Sequence, residues 1–405
     1  MSQAARASGA KADFAAIREM FPGAADKVYV NSAARGLPCA PSRTALDAYL
    51  DQLMDGRVDK SANFAMLERV REKYARLINA DADEIAFTKN VSEGLNMIAA
   101  AIPWRDGDNV VLCRSLEHPN NVYPWLNLHQ RHGIEVRAVD DRDGAIDIEA
   151  LIDAIDDRTR LVSVSTVTFA PGFRADVAPL GKVCRERGVF LLADGVQSVG
   201  VVNTDVKELM VDGMAVSTQK GLMGLYGMGF LYCRRDWAEK LTPAALARFS
   251  VNLGGGTHEA TMGDETYDLM PGARRFDLGN YNFPAAAMVE PALDLLLDTG
   301  PAEVESYVLG LSHRLAGGLH QLGMPVSGGP PGPHLAHIVT AGRYNPDTHD
   351  QAGDAETDAL HKALEDNDVI LTVRRGMLRL SLHLYNNEAD VDRVLDIVRE
   401  CRNGG

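Results

Sequence analysis

The segment MAVSTQKGLMGLYGMGFLYCRR, residues 214–235, carries the strongest signal for the fold and singles out one side chain. An apolar run leads into Lys220, glycines follow, and a second apolar run ends the segment. The pattern predicts two buried strands joined by a glycine-rich turn, with the lysine just after the first strand. A lysine in such a place is commonly a solvated charge, so other parts of the chain decide whether Lys220 has a chemical role.

Similar apolar runs occur on both sides of this segment and predict a strand each. They are NVVLCRS (109–115), IEVRAVD (134–140), TRLVSVSTVTF (159–169), VFLLADG (189–195), GMAVSTQ (213–219) and GFLYCRR (229–235). Amphipathic stretches such as YPWLNLHQRHG separate them. Near-continuous apolar strands that alternate with helices predict an α/β fold with a mostly parallel, doubly wound sheet, buried on both faces. Ligands of such sheets bind at the carboxyl ends of the strands.

The pattern changes near residue 285. Two helical segments, a Pro/Gly-rich loop at 326–333, and two strands around an acidic stretch follow. We therefore predict a large domain over residues 28–285 and a smaller α+β domain over 286–405. Residues 1–27 are expected to form an N-terminal segment that packs against the small domain. The acidic stretch is most simply a solvated loop and helix face.

Composition excludes several classes of function. The formal net charge of −15 and the pI of about 5.2 argue against a surface for nucleic acid or anionic membranes. The five cysteines are scattered and never form a CxxC pair, so neither a disulfide framework nor a metal site is predicted. No stretch is long and apolar enough for a signal peptide or a membrane span. We expect a cytoplasmic location.

Four polar features stand at strand ends or turns with apolar flanks. Asp194 ends a buried run, Lys220 ends the next, Ser92 stands near a helix start, and His118 follows a strand. Each has an ordinary explanation: a helix-capping Asp, a solvated Lys, a capping Ser and a surface His. Pyridoxal phosphate would use all four together, because it needs an amine for its aldehyde, a carboxylate for its pyridine nitrogen, a phosphate cradle and a group against its ring face.

In order and content these motifs resemble the class V aminotransferase family of fold-type I pyridoxal phosphate enzymes. The resemblance is to the branch with cysteine desulfurases, selenocysteine lyases and isopenicillin N epimerases. It extends from VYVNSAARGLP (28–38) to LRLSLHLYNNEADVDRVLDIV (378–398). It implies a large domain with a seven-stranded, mostly parallel sheet, a smaller α+β domain, and a homodimer with shared active sites.

The resemblance assigns roles to individual residues. Catalytic roles fall to Lys220 as the Schiff-base lysine and general acid/base, to Asp194 at the pyridine nitrogen, and to His118 on the ring face. The remaining cofactor contacts are Gln197 at the ring hydroxyl, Val91, Ser92, Ser217 and Gln219 at the phosphate, and Asn280 at the phosphate of the neighbouring subunit. The substrate side comprises Arg379, which grips the α-carboxylate, with Asn121, Ala33 and Arg35.

The chain departs from the desulfurase pattern at several points. Gln219 stands where a histidine usually precedes the lysine in desulfurases. The segment around Lys220 is more similar to that of alanine/serine–glyoxylate aminotransferases. Asn280 replaces a common threonine, and Phe169 replaces an asparagine beside the cofactor. The stretch DNDVILTVRRGMLRL holds no cysteine where desulfurases carry their sulfur-accepting thiol. Persulfide transfer needs such a thiolate near the substrate, so this mechanism is not expected.

The sequence therefore predicts a pyridoxal phosphate enzyme that acts at the α-carbon of an amino acid. An aminotransferase that uses a keto-acid acceptor is the leading hypothesis. A C–S lyase or an epimerase is the alternative, and a non-catalytic scaffold is disfavoured because all the key residues are present. Arg35, Arg174 and Arg374 could bind a second carboxylate of the substrate, or could be solvated or paired structural arginines.

Overall fold

The structure is a computed structural model, and it describes residues 12–253, 262–263 and 265–403. Twelve helices are seen within these ranges: α1 (Phe14–Glu19), α2 (Ala40–Met54), α3 (Lys60–Leu77), α4 (Val91–Ala101), α5 (Tyr123–His132), α6 (Ile148–Asp153), α7 (Ala178–Arg187), α8 (Arg235–Ala238), α9 (Phe283–Thr299), α10 (Pro301–Gln321), α11 (Ala355–Glu365) and α12 (Glu388–Asn403).

The strands in the same ranges are β1 (Val28–Tyr29), β2 (Ile85–Thr88), β3 (Asn109–Leu112), β4 (Glu135–Ala138), β5 (Thr159–Ser165), β6 (Phe190–Asp194), β7 (Gly213–Ser217), β8 (Gly229–Cys233), β9 (Val251–Asn252), β10 (Asp268–Leu269), β11 (Ile338–Ala341), β12 (Val369–Ile370), β13 (Thr372–Arg374) and β14 (Met377–Ser381). All six apolar runs identified in the sequence contain a strand.

The central sheet has seven strands in the order β2-β8-β7-β6-β5-β3-β4. The strands from β7 to β4 pair in parallel, whereas β8 is antiparallel to both of its neighbours. The expectation of a mostly parallel α/β sheet is confirmed. One detail of the prediction is wrong: β4 is partly exposed along its length, because it lies at the edge of the sheet.

A second sheet of three antiparallel strands, β11-β14-β13, lies in the C-terminal part of the chain. Helix α10 packs against β11 and α12. Helix α1 is fixed to this part: the Phe14 and Tyr307 rings stack at 3.6 Å, and the Arg18 guanidinium binds the Asp390 carboxylate at 2.8 and 3.0 Å. Contacts of this kind hold the start of the described chain against its end.

Two features differ from the domain boundaries predicted from sequence. Strand β1, which was assigned to the large domain, pairs in parallel with β12 of the C-terminal part. Asn31 forms a further bridge to Ser381. Helix α9 runs through the boundary proposed at residue 285 and packs on α2 and α3. The division into a large and a small domain stays a prediction. Strand β1 and helix α9 do not follow the boundaries proposed at residues 28 and 285.

Candidate active site

The polar residues predicted to form a site meet at one edge of the central sheet. Strand β6 ends at Asp194, whose neighbours in register are Ser165 at the end of β5 and Ala215 in β7. The three strands are parallel, so their carboxyl ends open on the same edge. Lys220 follows β7 on this edge and is close enough to Asp194 for their charges to interact.

Lys220 is half-buried, and its backbone is held tightly in place. The Gly36 N–H donates to the Gln219 carbonyl at 2.9 Å, and a Cβ on Gly36 would lie 2.2 Å from the Lys220 carbonyl oxygen. Glycine is therefore required where this loop crosses the lysine. Burial lowers the pKa of Lys220 to about 8; Asp194 opposes the shift, while Arg379 and Arg374 add to it. A lowered pKa makes the amine a better nucleophile near neutral pH.

Asp194 is a buried carboxyl group without a close cation. Its Oδ1 accepts a hydrogen bond from the Val196 N–H at 3.0 Å. Within the described ranges, no nitrogen of Lys, Arg or His lies within 4.0 Å of this carboxylate. Burial raises the pKa of Asp194 to about 6, although the Val196 hydrogen bond and Lys220 lower it. A buried carboxylate of this kind is stabilised by a protonated ring nitrogen.

His118 lies half-buried beside these groups. Its ring meets the Phe169 ring edge-on, with 5.1 Å between the centroids, and its Nδ1 accepts from the Asn120 N–H at 3.2 Å. Burial lowers the pKa of His118 to about 4, and the charge of Lys220 lowers it further. The imidazole is therefore neutral at physiological pH, a state that suits contact with the face of a flat ring.

The start of helix α4 is the segment predicted to bind the phosphate, and two of its first-turn N–H groups, those of Val91 and Glu93, are engaged within the protein. The Val91 N–H donates to the Ser217 Oγ at 2.8 Å, which joins the helix to the end of β7, and Ser92 stands half-buried in the first turn. The N-cap is Asn90, whose Oδ1 accepts from the Glu93 N–H at 2.9 Å, so the idea that Ser92 caps the helix is wrong. Helix N-termini with free N–H groups and hydroxyls bind phosphate.

Gln197 leaves a buried polar atom unsatisfied. Its Nε2 donates to the Ala33 carbonyl at 3.2 Å, whereas its Oε1 is buried without a hydrogen-bond partner in the part of the chain that the structure describes. Ala33 is itself buried, and its N–H donates to the Ser381 Oγ at 2.8 Å; its predicted substrate contact stays a prediction. An orphaned amide oxygen is costly, and the hydroxyl of a bound aromatic ring would satisfy it.

Arg379 on β14 is buried behind the lysine. Its Nη1 donates to the Phe169 carbonyl at 3.0 Å, and its Nε to the Thr372 Oγ1 at 3.2 Å. Burial lowers the pKa of Arg379 to about 9, and Arg374 contributes to the shift. Among the residues described, no carboxylate lies within 4.0 Å of this guanidinium. A guanidinium that is oriented by hydrogen bonds and lacks a close counter-ion suits a carboxylate ligand.

Asn121 is held by hydrogen bonds within the loop region that follows β3. Asn121 is fully buried; its Nδ2 donates to Glu117 at 2.7 Å, and its Oδ1 accepts from the Ser163 Oγ at 2.7 Å. Both ends of the amide are thus engaged by protein groups, which support the loop that carries His118. A substrate contact of Asn121 stays a prediction.

Glu117 is a site residue that the sequence reasoning missed. Its carboxylate accepts from the Ser165 N–H at 2.7 Å and the Ser165 Oγ at 2.5 Å. Burial raises its pKa to about 7, and the charge of Asp194 raises it further. The signal available in the sequence was an acidic residue directly before His118 in a loop with buried flanks. Glu117 links the ends of β3 and β5 beneath the site.

Other predicted residues lie outside this group. Arg35 is exposed and lies over the Tyr226 ring, 5.0 Å from its centroid. Arg174 forms an ion pair with Glu305 of α10, so the structural explanation of Arg174 is right. Asn280 is exposed, with a φ of 45°, and lines a cavity of about 390 Å³ together with Lys89 and Glu93. Among the described residues, no hydrogen bond or ion pair joins Arg35 or Asn280 to Lys220.

The hairpin β13–β14 covers part of the stretch in which the family resemblance predicts that a cysteine is lacking. Arg374 pairs with Met377, so only Arg375 and Gly376 form the turn, with φ values of 48° and 83°. A turn with two positive φ values is the tight hairpin connection that fits twisted strands. Of the five cysteines, four are buried and Cys401 is exposed on α12; all have free thiols. None stands on this hairpin.

These groups fit one cofactor. A lysine of lowered pKa, a buried carboxyl group, an orphaned amide oxygen and a helix N-terminus are the contacts that pyridoxal 5'-phosphate requires at its aldehyde, ring nitrogen, ring hydroxyl and phosphate. Fold and site thus define a pyridoxal phosphate enzyme of the α/β type. None of the described helices is long and apolar enough to cross a membrane.

Comparison with known proteins identifies the family. Residues 55–394 match the family model "Aminotransferase class-V", and the chain belongs to this family of pyridoxal phosphate-dependent enzymes. A probable cysteine desulfurase of Methanothermobacter thermautotrophicus is 29% identical over 404 residues, 96% of this chain and 98% of the relative. An uncharacterised aminotransferase of Schizosaccharomyces pombe is 31% identical over 340 residues, 82% of this chain and 81% of the relative.

A solved structure supports the same assignment. The apo cysteine desulfurase of Thermococcus onnurineus superposes with a TM-score of 0.83 at 25% identity, covering 96% of this chain and 98% of that chain. The similarity extends over both the central sheet and the C-terminal part. The α/β fold expected from the sequence, the family resemblance and the pyridoxal phosphate cofactor are therefore confirmed.

Proposed function

We propose that the protein is an aminotransferase that moves the amino group of an amino acid to a keto acid. The observation that carries this proposal is the two-residue turn at Arg375–Gly376, which leaves no thiol on the hairpin to accept sulfur. Persulfide formation on a protein cysteine has no nucleophile there. Lys220 remains as the base of lowered pKa beside the carboxylate-binding arginine.

The residues of the chain divide the work of this reaction. The bound cofactor supplies an electron sink for the bond that breaks at the α-carbon. Arg379 binds the α-carboxylate and so orients the bond that breaks at the α-carbon. Lys220 accepts the proton from the α-carbon and then donates it to a different carbon. Asp194 would hold a proton on the ring nitrogen of the cofactor. Neutral His118 would lie against the ring and exclude water from it.

A C–S lyase that releases its sulfur product without a protein persulfide is the second candidate. Its support is the name of the Methanothermobacter relative, a probable cysteine desulfurase that aligns over nearly the whole chain. Such a lyase would use the same Lys220 and Arg379. It would need no cysteine residue of the protein at the site. The two candidates differ in whether the amino group stays on the cofactor or leaves with the product.

A homodimer with shared sites is part of the proposal, as is a cytoplasmic location. Asn280 supports the dimer, because its side chain is exposed on a segment that the family resemblance places at the neighbouring subunit's phosphate. Light scattering of the purified protein gives the mass of the assembly. An Asn280→Asp variant that weakens cofactor retention would support a phosphate contact.

Single-turnover mixing of the holoenzyme with amino acids, in the absence of keto acid, tests the proposed function. For an aminotransferase, the yellow absorbance of the cofactor bleaches and returns when pyruvate or glyoxylate is added. Release of sulfide or pyruvate from cysteine with the colour retained would instead establish the lyase. Lys220→Ala should show neither change, whereas Lys207→Ala, which removes an exposed lysine, should behave as the native enzyme.

A further inference from the structure

The short hairpin places a second arginine beside Arg379. Thr372 of β13 is the register partner of Arg379 on β14, and Arg374 lies two residues further along β13. Side chains alternate between the faces of a strand, so Thr372, Arg374 and Arg379 share one face. The hydrogen bond from Arg379 Nε to Thr372 Oγ1 confirms that this pair is on the same face. Arg374 and Arg379 are therefore diagonal neighbours across the hairpin.

Arg374 has little to neutralise it. It is half-buried, and its Nη1 donates to the Val373 carbonyl at 2.7 Å. Within the described part of the chain, no carboxylate lies within 4.0 Å of Arg374, Arg375 or Arg379. Arg374 lowers the pKa of both Lys220 and Arg379, which shows that its charge acts on the site. Like charges in this arrangement are unfavourable unless an anion joins them.

The turn beside Arg374 is held in a strained conformation. Arg375 has a φ of 48°, in the left-handed region that a non-glycine residue seldom adopts. Its guanidinium lies over the Phe169 ring at 4.8 Å and donates to the Ser115 carbonyl at 2.6 Å and the Tyr344 hydroxyl at 2.9 Å. These contacts fix the hairpin against the loops after β3 and β5. The position of Arg374 is thereby fixed as well.

We propose that Arg374 binds a second carboxylate of the substrate, so that the enzyme acts on dicarboxylic amino acids and the corresponding keto acids. Arg379 takes the α-carboxylate, and Arg374 takes the side-chain carboxylate. The inference rests on the proposed function for the reaction, but the binding of a dicarboxylate does not depend on which reaction follows. Arg35 and Arg174 have no part in it, because one lies over Tyr226 and the other pairs with Glu305.

Calorimetric titration of the holoenzyme with succinate and with butyrate tests the inference. The two acids have the same carbon chain and differ in the second carboxylate. We expect succinate to bind roughly 30-fold more tightly than butyrate, the ratio expected for an added charge-assisted hydrogen bond. Arg374→Gln should bring the ratio close to one, and Arg374→Lys should retain part of it. Arg399→Gln removes the same charge from the exposed face of α12 and should leave the ratio unchanged.

The outcomes separate this inference from the proposed function. Equal binding of succinate and butyrate by the native enzyme overturns the inference, as does a full succinate preference in Arg374→Gln. If succinate is preferred but no amino acid bleaches the cofactor, the inference stands and the aminotransferase proposal fails. If alanine bleaches the cofactor as fast as aspartate and glutamate, and succinate has no advantage, the aminotransferase proposal stands and the inference fails.

Discussion

At the scale of single residues, the site is built on polar groups with too few partners. Asp194 has no cation within an ion-pair distance among the described residues, and Gln197 has an orphaned oxygen. Lys220 lies near two arginines and one carboxylate. Each arrangement is costly for the protein alone. Each becomes favourable when an anionic cofactor with a protonated ring nitrogen binds. The residues are therefore arranged for a ligand more than for the stability of the chain.

Uptake of pyridoxal phosphate by the apoprotein should accelerate with pH up to about 8 and then level off. Protonated Lys220 has no lone pair for the aldehyde, and burial lowers the pKa of Lys220 to about 8. Below that pH the free amine falls about tenfold per unit, whereas above it the amine is already free. Stopped-flow absorbance at a series of pH values measures the rate.

The charge of Asp194 provides a control for this profile. Because Asp194 raises the pKa of Lys220, Asp194→Asn should move the midpoint of the profile below pH 8. A rate that goes on rising to pH 10 in the native protein would contradict the assignment of a lowered pKa. An unchanged midpoint in Asp194→Asn would show that the two groups do not interact.

At the scale of elements, the chemistry depends on how strands end and how short one hairpin is. Parallel strands β5, β6 and β7 bring their carboxyl ends to one edge, which gathers residues from distant parts of the chain. The β13–β14 turn is the shortest connection that a hairpin normally has. It places Arg374 of β13 diagonally across from Arg379 of β14.

Gly376→Ala should destabilise this turn by about 2 kcal/mol or more and impair substrate binding. Gly376 has a φ of 83°, and a Cβ there would lie 2.5 Å from the Arg343 carbonyl oxygen, so backbone strain and a clash add together. Gly329→Ala is the matched control, since Gly329 has a φ of 71° but no atom within 4 Å of an added Cβ. Thermal unfolding and KM values are measured for both variants. Equal effects in the two would show that the clash with the Arg343 carbonyl does not contribute.

Much of the sheet and of the cofactor site could be predicted because the signal is local. Apolar runs mark the strands, and Asp194, Lys220 and His118 stand next to them in the sequence. Side-chain contacts were not predictable: no local pattern indicates that Asn121 bonds to Glu117 and Ser163. The contact between Arg379 and the Phe169 carbonyl joins residues far apart in the chain, and no local pattern encodes such a pairing.

At the scale of the whole molecule, a buried ion pair holds the central sheet to a distant segment. The Arg71 Nη2 of α3 binds the Asp277 Oδ2 at 2.7 Å, and both side chains are almost fully buried. The other carboxylate oxygen accepts from the Phe87 N–H of β2 at 2.8 Å. Tyr281 also donates to Asp277, at 3.1 Å. The pair therefore fixes the segment that carries Asn280 and ties the fold to the surface proposed for the dimer.

Asp277→Ala should lower the free energy of unfolding by about 3–5 kcal/mol, because it removes the buried counter-charge of the Arg71 guanidinium and leaves it only the half-exposed Glu68 carboxylate at 3.5 Å. The surface pair of Arg43 and Asp47, with side chains 75% and 47% exposed, offers the control, and Asp47→Ala should cost about 0–1 kcal/mol. Urea unfolding followed by fluorescence gives both values. The displaced segment should also weaken self-association in Asp277→Ala, which light scattering measures. Equal stability losses in the two variants would mean that water or a shifted side chain neutralises Arg71, and that the ion pair does not hold the segment in place.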